Sequence, residues 1–353
     1  MAKFRYLTTP FRVKNLELKN RVVMPPMCTY SATDGVPNDW HFVHYSARAI
    51  GGVGLIIVEM TNIAPNGRIT PNCLGLWNDE QRDAFKRIVD AAHQYGSKIA
   101  IQIAHAGRKA LGHDYVDAPS PILYDGDDKD PRWSYQTPRD LSTDEVKGLV
   151  QKYAEAVKRA VEAGFDAIEI HGAHGYLIHE FHSFKANQRS DEYGQDKMLF
   201  GEQVIQAAKA VMPAEMPLLV RISAQEYAKG GYSKEHGLEV AKRYAAAGAD
   251  VLHVSGGGDG TPDRAHSPSI QAGYQVYLAR AVKQATQKPV IAVGMLEDPA
   301  VADYVLASGD ADLVAIGRGL LRDPHWLLNA QYHQNGKDSA PMQFVPRQYQ
   351  RGF

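Results

Sequence analysis

One local pattern recurs along this chain and limits the folds open to it: an alanine-rich amphipathic stretch, a glycine, and then a short aliphatic run. Four clear copies end in residues 55–58, 167–170, 251–254 and 313–316. The glycine stands where the end of a helix needs a residue that tolerates positive φ. The aliphatic run lacks polar alternation, which is typical of a parallel strand buried on both faces. The pattern therefore predicts repeated helix–turn–strand units.

Eight such runs predict eight strands with helices between them. Several helix starts are recognisable: Ser142 and Glu145 form a capping box, while Asp298 and Asp323 each precede a proline at the first helical position. Strict alternation of strand and helix favours a single-domain (β/α)8 TIM barrel over residues 1–353, with an open doubly wound sheet as the alternative. The first 20 residues are expected to form a small β-structure that closes the bottom of the barrel. The predicted strands are residues 21–27, 55–59, 99–103, 167–171, 218–222, 251–254, 290–293 and 313–316.

One connection is far longer than the others. About 35 residues, 105–140, separate the third predicted strand from its helix, and they are rich in Asp, Pro and Gly. Loops of this length inside a compact domain are usually functional lids or capping subdomains. We therefore expect a capping insertion over residues 105–140.

Charge and cysteine content exclude several classes of protein. The 353 residues include 39 Lys and Arg against 40 Asp and Glu, without the basic surplus of a general nucleic-acid binder. No apolar run approaches the roughly 18 residues that span a bilayer, and Lys3, Arg5 and Arg12 interrupt the apolar stretch of a signal peptide. Two cysteines are too few for a disulfide framework or an all-cysteine iron–sulfur cluster. We expect a cytoplasmic protein that binds neither nucleic acid nor membrane.

The predicted strand ends carry amide, imidazole, guanidinium and thiol groups, which suit a large planar ligand at the active-site end of a barrel. No strand ends in Lys, which disfavours a Schiff-base aldolase, and no compact set of carboxylates offers a site for a hard metal ion. Simpler roles exist: Gln102 as a satisfied core amide, Cys28 as an inert small hydrophobe, and Glu59 in a salt bridge. Arg221 differs, because a buried guanidinium is costly without an anion or an electron-rich carbonyl.

Glycines follow the last two predicted strands, where such barrels commonly bind phosphate. Backbone N–H groups at Gly294 and Gly317 can point at an anion, and the guanidinium of Arg318 adds a positive charge with paired N–H donors. Each glycine by itself could simply make a tight turn. A phosphate site beside a wide, uncharged rim suggests a mononucleotide cofactor, and flavin mononucleotide (FMN) fits best.

The motif His171-Gly-Ala-His174-Gly-Tyr176 is the most specific local signal. His171 and His174, hereafter the histidine pair, stand at a strand end and can turn toward one point. As neutral donors they can stabilise negative charge on a substrate oxygen, while Tyr176 remains a proton donor at neutral pH. One alternative is a zinc site that adds His179 and His182, although both lie in a helical continuation. A purely structural pair is another.

Six motifs, in order along the chain, resemble those of the old yellow enzyme family, in its thermophilic-like subclass of FMN-dependent ene-reductases. Each motif is moderately specific, and the resemblance extends over essentially the whole chain. The motifs are KNRVVMPPMCTY at 19–30, QIAHAGRK at 102–109, HGAHGYL at 171–177, NQRSDEYG at 187–194, GRGLLRDP at 317–324 and QYQRGF at 348–353.

The resemblance implies where FMN would bind. Gln102 would hydrogen-bond the pyrimidine edge of the flavin, and Arg221 would lie near N1 and favour the anionic reduced ring. Cys28 would lie near N5 and tune the reduction potential. The residues implied in cofactor binding are Pro25, Pro26, Met27, Cys28, Met60, Gln102, Arg221, Gly294, Gly317 and Arg318.

The resemblance also implies a reaction in two halves. NADPH, or less readily NADH, reduces the flavin, which then transfers hydride to the β-carbon of an α,β-unsaturated ketone, aldehyde, imide or nitro compound. The histidine pair would polarise the substrate oxygen, Tyr176 would protonate the α-carbon, and Tyr30 would cover the substrate. The alternatives from other classes are a barrel that only stores or senses FMN, and a metal-dependent hydrolase or lyase.

The C-terminal tail, residues 337–353, ends in a segment with two aromatic residues around Arg351. A chain end usually frays unless something holds it, and this composition is typical of an interface. In the subclass that the chain resembles, the tail crosses a dimer interface and its arginine reaches the partner's active site. We therefore expect a homodimer, or a homotetramer built from such dimers, with Arg351 in the neighbouring substrate pocket. A tail packed on its own barrel is the alternative.

Two places depart from the family pattern. Residues 182–185, His-Ser-Phe-Lys, stand where an apolar residue and a Ser-Pro pair are expected, and Gly194-Gln195 replaces a Gly-Gly pair. These changes leave the implied flavin contacts alone. They alter the loop that follows the histidine pair.

Overall fold

The computed structural model describes residues 4–126, 132, 134–335 and 344–352, and its centre is a closed barrel of eight parallel strands. In ring order the barrel strands are β3, β4, β5, β8, β9, β10, β11 and β12, and β12 pairs with β3 to close the ring. The predicted (β/α)8 TIM barrel is confirmed, and the open sheet is excluded. The strands are β1 (Phe11–Val13), β2 (Leu16–Leu18), β3 (Val22–Met24), β4 (Leu55–Asn62), β5 (Lys98–Ala104), β6 (Asp117–Ala118), β7 (Arg139–Asp140), β8 (Ala167–Gly172), β9 (Leu218–Ser223), β10 (Val251–Ser255), β11 (Val290–Ala292) and β12 (Leu313–Ala315).

Helices pack around the barrel, and their starts follow the predicted caps with one exception. The capping box of Ser142 and Glu145 forms, and Asp298 caps its helix. After Asp323 the helix begins at Trp326 rather than at residue 324, and the Asp323 carboxylate accepts the N–H of His325 at 2.8 Å in the intervening turn. The helices are α1 (Asp39–Ile50), α2 (Asp79–Gln94), α3 (Thr143–Glu162), α4 (Leu177–His182), α5 (Glu192–Gln195), α6 (Leu199–Val211), α7 (Lys234–Ala247), α8 (Val276–Thr286), α9 (Pro299–Ala307), α10 (Arg318–Arg322) and α11 (Trp326–Asn335).

Strand bounds differ from the predicted ones at some ends. β3 stops at Met24 instead of reaching residue 27, because Pro25 and Pro26 have no N–H to donate to a neighbouring strand. β4 continues to Asn62, through a register shift against β5. The helices described here include none with the length and apolar character that a membrane span requires.

The lower half of the barrel interior is filled by small and aliphatic side chains, which we call the apolar floor. Side chains in a strand alternate between faces, so every second residue of a barrel strand points inward. β1 and β2 form an antiparallel hairpin, and Leu16 and Leu18 of β2 are buried against the floor. The predicted β-structure at the bottom of the barrel is thus present. The floor consists of Val23, Leu55, Ile57, Ala100, Ala167, Leu219, Val251, Ile291, Leu313 and Ala315.

The hairpin contact predicts a difference between neighbouring residues. Leu18 is 2% exposed, so Leu18→Ala leaves a cavity and should lower the free energy of unfolding by about 2–5 kcal/mol. Glu17 points outward, and its ion pair with Arg12 joins two largely exposed side chains. Glu17→Ala is therefore the control and should change stability by less than about 0.5 kcal/mol. Urea unfolding measures both. Equal effects of the two substitutions would contradict a hairpin that plugs the barrel.

Candidate active site

Above the apolar floor, the inward-pointing side chains become polar, and we call this level the polar layer. Each member lies two residues beyond a floor residue of the same strand. All are buried, so their hydrogen-bond partners must come from the protein or from a bound ligand. The polar layer consists of Gln102, Glu169, Arg221 and His253.

A cavity of about 330 Å³ opens at the C-terminal ends of the strands. Its lining includes many of the residues predicted to bind a cofactor. It also includes residues that the sequence reasoning did not assign, such as Tyr274 and Gln275, which lie in the long connection after β10 and carry no motif. The predicted residues in the lining are Pro25, Pro26, Met27, His174, Arg221, Gly294, Gly317 and Arg318.

A larger groove of about 670 Å³ lies away from the barrel mouth, beside the insertion. Its most basic side chain, Arg189, already forms an ion pair with Asp191 and donates to the carbonyl oxygen of Pro119 at 3.1 Å. The groove gathers none of the strand-end imidazole, amide or thiol groups. The smaller cavity is therefore the candidate active site.

The histidine pair and Tyr176 converge beside this cavity. The ring centroid of His171 lies 5.3 Å from that of His174 and 5.0 Å from that of Tyr176. Nδ1 of His171 accepts the N–H of Ala173 at 3.3 Å, which leaves the proton of the neutral ring on Nε2. Burial, aided by the charge of Arg221, holds the pKa of both histidines well below the usual range. Both rings are therefore neutral at physiological pH.

Two tight turns hold the histidine pair in place. His174 has φ of 62° and Gly175 has φ of 72°, both in the left-handed region. A Cβ atom on Gly175 would lie 2.4 Å from the carbonyl oxygen of Gly258, and one on Gly258 would lie 2.4 Å from Cα of His174. Glycine is therefore required in both turns.

Lys109, from the insertion, fastens the same turns. Its Nζ donates to the carbonyl oxygen of Gly258 at 3.2 Å and to that of His174 at 3.4 Å. The ammonium group also lies 5.4 Å from the ring centroid of Tyr176 and 4.5 Å from that of Tyr124. Sequence reasoning placed Lys109 in a motif without giving it a role. The structure shows that it links the insertion to the histidine turn.

The loop after β3 carries Cys28 and Tyr30 and is tied to the barrel by Glu59. The carboxylate of Glu59 accepts the N–H of Thr29 at 2.7 Å, the Thr29 hydroxyl at 2.8 Å and the Tyr45 hydroxyl at 3.1 Å. The simpler role of Glu59 in a salt bridge is not supported, because no lysine or arginine among the described residues pairs with it. The nearby His41 lies 3.8 Å away, and burial lowers its pKa to about 4, so its ring is neutral.

The loop presents two side chains to the site. Cys28 packs in one apolar cluster with Met60 and Tyr176. Contact with the Cys73 thiol, together with burial, raises the pKa of Cys28 well above its usual range, so that it remains a neutral thiol. Tyr30 is 44% exposed at the rim, with a left-handed φ of 52°.

Arg221 is the group in the polar layer most in need of a ligand. It is buried at the cavity, and its Nε has no hydrogen-bond partner among the described residues. Burial lowers its pKa, which reflects the cost of the buried charge. Gln102, by contrast, already donates from Nε2 to Glu169 at 2.8 Å. An anionic or electron-rich planar ligand in the cavity would satisfy Arg221.

The far side of the cavity is suited to an anion. Arg318 is exposed and forms no ion pair with the part of the chain that the structure describes. Gly294 has φ of 117°, and a Cβ atom there would lie 2.9 Å from the backbone nitrogen of Gln275. Both residues line the cavity together with Gly317.

Comparison with known proteins shows close relatives over nearly the whole chain. The family described as "NADH:flavin oxidoreductase / NADH oxidase family" matches residues 6–337. The NADPH dehydrogenase of Clostridium acetobutylicum is 42% identical over 348 residues, which cover 97% of this chain and 98% of that protein. The NADPH dehydrogenase of Bacillus subtilis is 42% identical over 354 residues, 99% of each chain.

The chain belongs to the NADH:flavin oxidoreductase / NADH oxidase family. It is a flavin-dependent oxidoreductase, and its resemblance to the old yellow enzymes is confirmed.

Solved structures agree with this assignment. Morphinone reductase aligns with a TM-score of 0.79 at 28% identity, covering 96% of this chain and 92% of its own. 2-Naphthoyl-CoA reductase aligns with a TM-score of 0.86 at 21% identity, covering 96% of this chain and 53% of its own, and shows the fold alone.

In this flavin-dependent oxidoreductase, His179 and His182 do not join the histidine pair. Nε2 of His179 lies 2.8 Å from Glu226, and Nδ1 of His182 lies 3.0 Å from the Tyr244 hydroxyl. His182 thus replaces the expected apolar residue as a buried, hydrogen-bonded ring. The zinc site that combined these four histidines is not supported.

One group of three potential metal ligands occurs among the described residues: His179, Glu226 and Asp259. Arg108 forms a buried ion pair with Asp259, which opposes binding of a cation there. Ser183, in the loop that departs from the family pattern, donates to the same carboxylate at 2.9 Å. The next unusual residue, Lys185, pairs at 2.7 Å with Asp125 of the insertion.

The C-terminal tail lies outside the cavity of its own chain. Phe344 and Val345 pack on Leu328, and the rings of Tyr349 and His325 lie 5.5 Å apart. Arg351 is exposed in the short 3-10 helix Arg347–Gly352. Residues 336–343 and Phe353 lie outside the described residues.

Proposed function

We propose that this flavin-dependent oxidoreductase binds FMN in the barrel cavity, takes electrons from NADPH in preference to NADH, and reduces activated alkenes: α,β-unsaturated ketones, aldehydes, imides and nitro compounds. The observation that carries the proposal is the convergence of two neutral imidazoles and a tyrosine beside a cavity lined by a buried arginine whose Nε has no hydrogen-bond partner among the described residues. The names of the relatives, NADPH dehydrogenase, support the electron donor.

The lining of the cavity fits a flavin. Arg221 offers an unsatisfied donor and a positive charge, while Gly294 and Arg318 lie where a phosphate would be held. Cys28 and Met60 supply apolar contacts beside them. When bound, FMN would accept hydride from the nicotinamide and pass it to the β-carbon of the alkene.

The histidine pair would hold the substrate oxygen. His171 offers its Nε2–H, because Nδ1 is occupied by the Ala173 N–H. Nε2 of His174 lies 2.9 Å from the Ser255 hydroxyl, whose oxygen also lies 3.5 Å from Oε1 of Gln275. His174 would donate from Nδ1 when the hydroxyl turns its proton toward the ring. Neutral donors stabilise the charge that grows on the oxygen, at about 3 kcal/mol for a well-placed donor. Tyr176 would give its proton to the α-carbon, while Tyr30 covers the substrate from the rim.

FMN binding is the first expected result. The purified protein should be yellow and should lose its flavin absorbance anaerobically on addition of NADPH, with slower loss on addition of NADH. Apoprotein should regain the colour when FMN is added. A colourless protein that takes up no FMN would refute the proposal, and inhibition by chelators would instead favour a metal-dependent hydrolase or lyase.

Tyr176→Phe should separate the two half-reactions. Flavin reduction by NADPH requires no proton donor at carbon, so it should be unchanged. Reoxidation by an enone should slow by roughly 10²–10⁴-fold, the typical contribution of a positioned acid. Rapid-mixing absorbance measurements follow each half-reaction separately.

A nitroalkene provides the control for this variant. Its reduced product can take a proton from water after hydride transfer, so Tyr176→Phe should slow the reduction of a nitroalkene less than that of an enone. Equal slowing of both half-reactions would assign Tyr176 a structural role instead.

We also propose that the tail completes the site of a second copy in a homodimer, or in a homotetramer of such dimers, with residues 105–140 acting as a cap over the barrel. The exposed Arg351 supports this arrangement, since the cavity of its own chain lies elsewhere.

Deletion of residues 348–353 should weaken the oligomer in sizing chromatography and raise KM for an enone. Arg351→Ala should raise KM while leaving the oligomer intact. Unchanged oligomeric state and kinetics in the deletion variant would rule out shared sites.

A further inference from the structure

Three residues of the polar layer form a continuous hydrogen-bonded chain. Gln102 donates from Nε2 to one oxygen of Glu169 at 2.8 Å, and Nδ1 of His253 lies 2.7 Å from the other oxygen. Gln102 is 1% exposed, while Glu169 and His253 are fully buried. Both carboxylate oxygens thus accept a hydrogen bond, which is the pattern of an ionised side chain.

The strand register brings these residues together. Gln102 of β5 lies directly opposite Glu169 of β8, and His253 of β10 lies directly opposite Arg221 of β9. The four strands are neighbours in the ring, in the order β5, β8, β9, β10. The chain therefore crosses the polar layer and passes Arg221, which lines the cavity.

The carboxylate controls how Gln102 is oriented. Glu169 can only accept hydrogen bonds, so the amide must turn its NH2 end toward it. A flipped amide would place two acceptor oxygens against each other in a buried site, which is costly. A ligand that reached Gln102 would therefore meet an amide whose donor and acceptor ends are already assigned.

Glu169 also balances charge. Burial lowers the pKa of Arg221, and the negative charge of Glu169 is the largest of the effects that raise it. Burial holds the pKa of His253 below its usual value, so His253 supplies a neutral donor rather than a second cation. Glu169 is the polar-layer carboxylate that offsets the guanidinium.

We propose that Glu169 is a positioning residue of the flavin site: held by His253, it fixes the amide of Gln102 and offsets the charge of Arg221, and so sets the reduction potential of the bound flavin. This inference rests on the proposed function, because it requires FMN in the cavity.

Glu169→Gln tests the charge. The substitution keeps the size of the side chain but leaves Arg221 without an opposing charge, so the reduced flavin is favoured. In the FMN-loaded protein we expect the equilibrium to shift at least tenfold toward the reduced form, which is about 30 mV for a two-electron couple. Anaerobic titration against a reference dye measures this potential, after the FMN content has been determined.

Glu169→Asp tests the positioning. It keeps the charge, but the shorter side chain cannot reach both Gln102 and His253. We expect a reduction potential close to that of the wild type and a dissociation constant for FMN at least tenfold higher. The matched control is Glu226→Gln, which removes another buried carboxylate–histidine pair, with His179 at 2.8 Å, outside the barrel interior. The control should leave the potential unchanged.

Each outcome decides a part of the proposal. An unchanged potential in Glu169→Gln overturns the charge role, and an unchanged FMN dissociation constant in Glu169→Asp overturns the positioning role. If Glu169→Gln does not fold, His253→Leu must change the potential, because it removes a hydrogen-bond donor from the carboxylate of Glu169. An unchanged value there overturns the proposal. A wild-type protein that binds no FMN overturns the proposed function itself, and this inference with it.

Discussion

The change from apolar to polar side chains at one level of the barrel interior is the constraint on which the rest of this structure depends. Below that level, Ala100, Ala167 and Leu219 close the barrel as a packed core. Two residues further along the same strands, Gln102, Glu169 and Arg221 stand at its C-terminal end. The two-residue period of a β-strand places both sets on the inner face. The packed core and the candidate active site thus lie one above the other inside the same eight-stranded barrel.

Burial of so many polar groups is tolerated because nearly all of them are paired within the protein. The carboxylate of Glu59 accepts three hydrogen bonds, and that of Glu169 accepts two. The histidine pair avoids the cost of buried charge by staying neutral. In the polar layer, Nε of Arg221 and Nε2 of His253 lack partners among the described residues, and of these two side chains Arg221 is the one that lines the cavity. An unsatisfied cation in a cavity is costly for the empty protein and favourable for an anionic ligand.

The loops at the barrel mouth are fixed by contacts with other loops as much as by the strands. Glu59 holds the segment of Cys28 and Tyr30 through Thr29. The histidine turn packs against the Gly258 turn with no room for a side chain, and Lys109 reaches both from the insertion. The long insertion thus contributes directly to the geometry of the site, through a residue whose motif gave no hint of its partners.

The sequence by itself determined the eight strands, the barrel, the hairpin beneath it and the strand-end residues, because these follow from local periods, glycine positions and motifs. It could not show that Glu59 anchors a loop by hydrogen bonds, or that Glu169 joins Gln102 to His253. Those partners are separated by 67 and 84 residues along the chain, and only the register of neighbouring strands brings them within hydrogen-bond distance. The sequence also could not show the partners of His179 and His182, which share a helix that follows the histidine pair closely in the sequence. In the folded protein these two rings hydrogen-bond to Glu226 and Tyr244 instead of joining the histidine pair. Buried imidazoles need hydrogen-bond partners, and only the tertiary structure decides which partners are within reach.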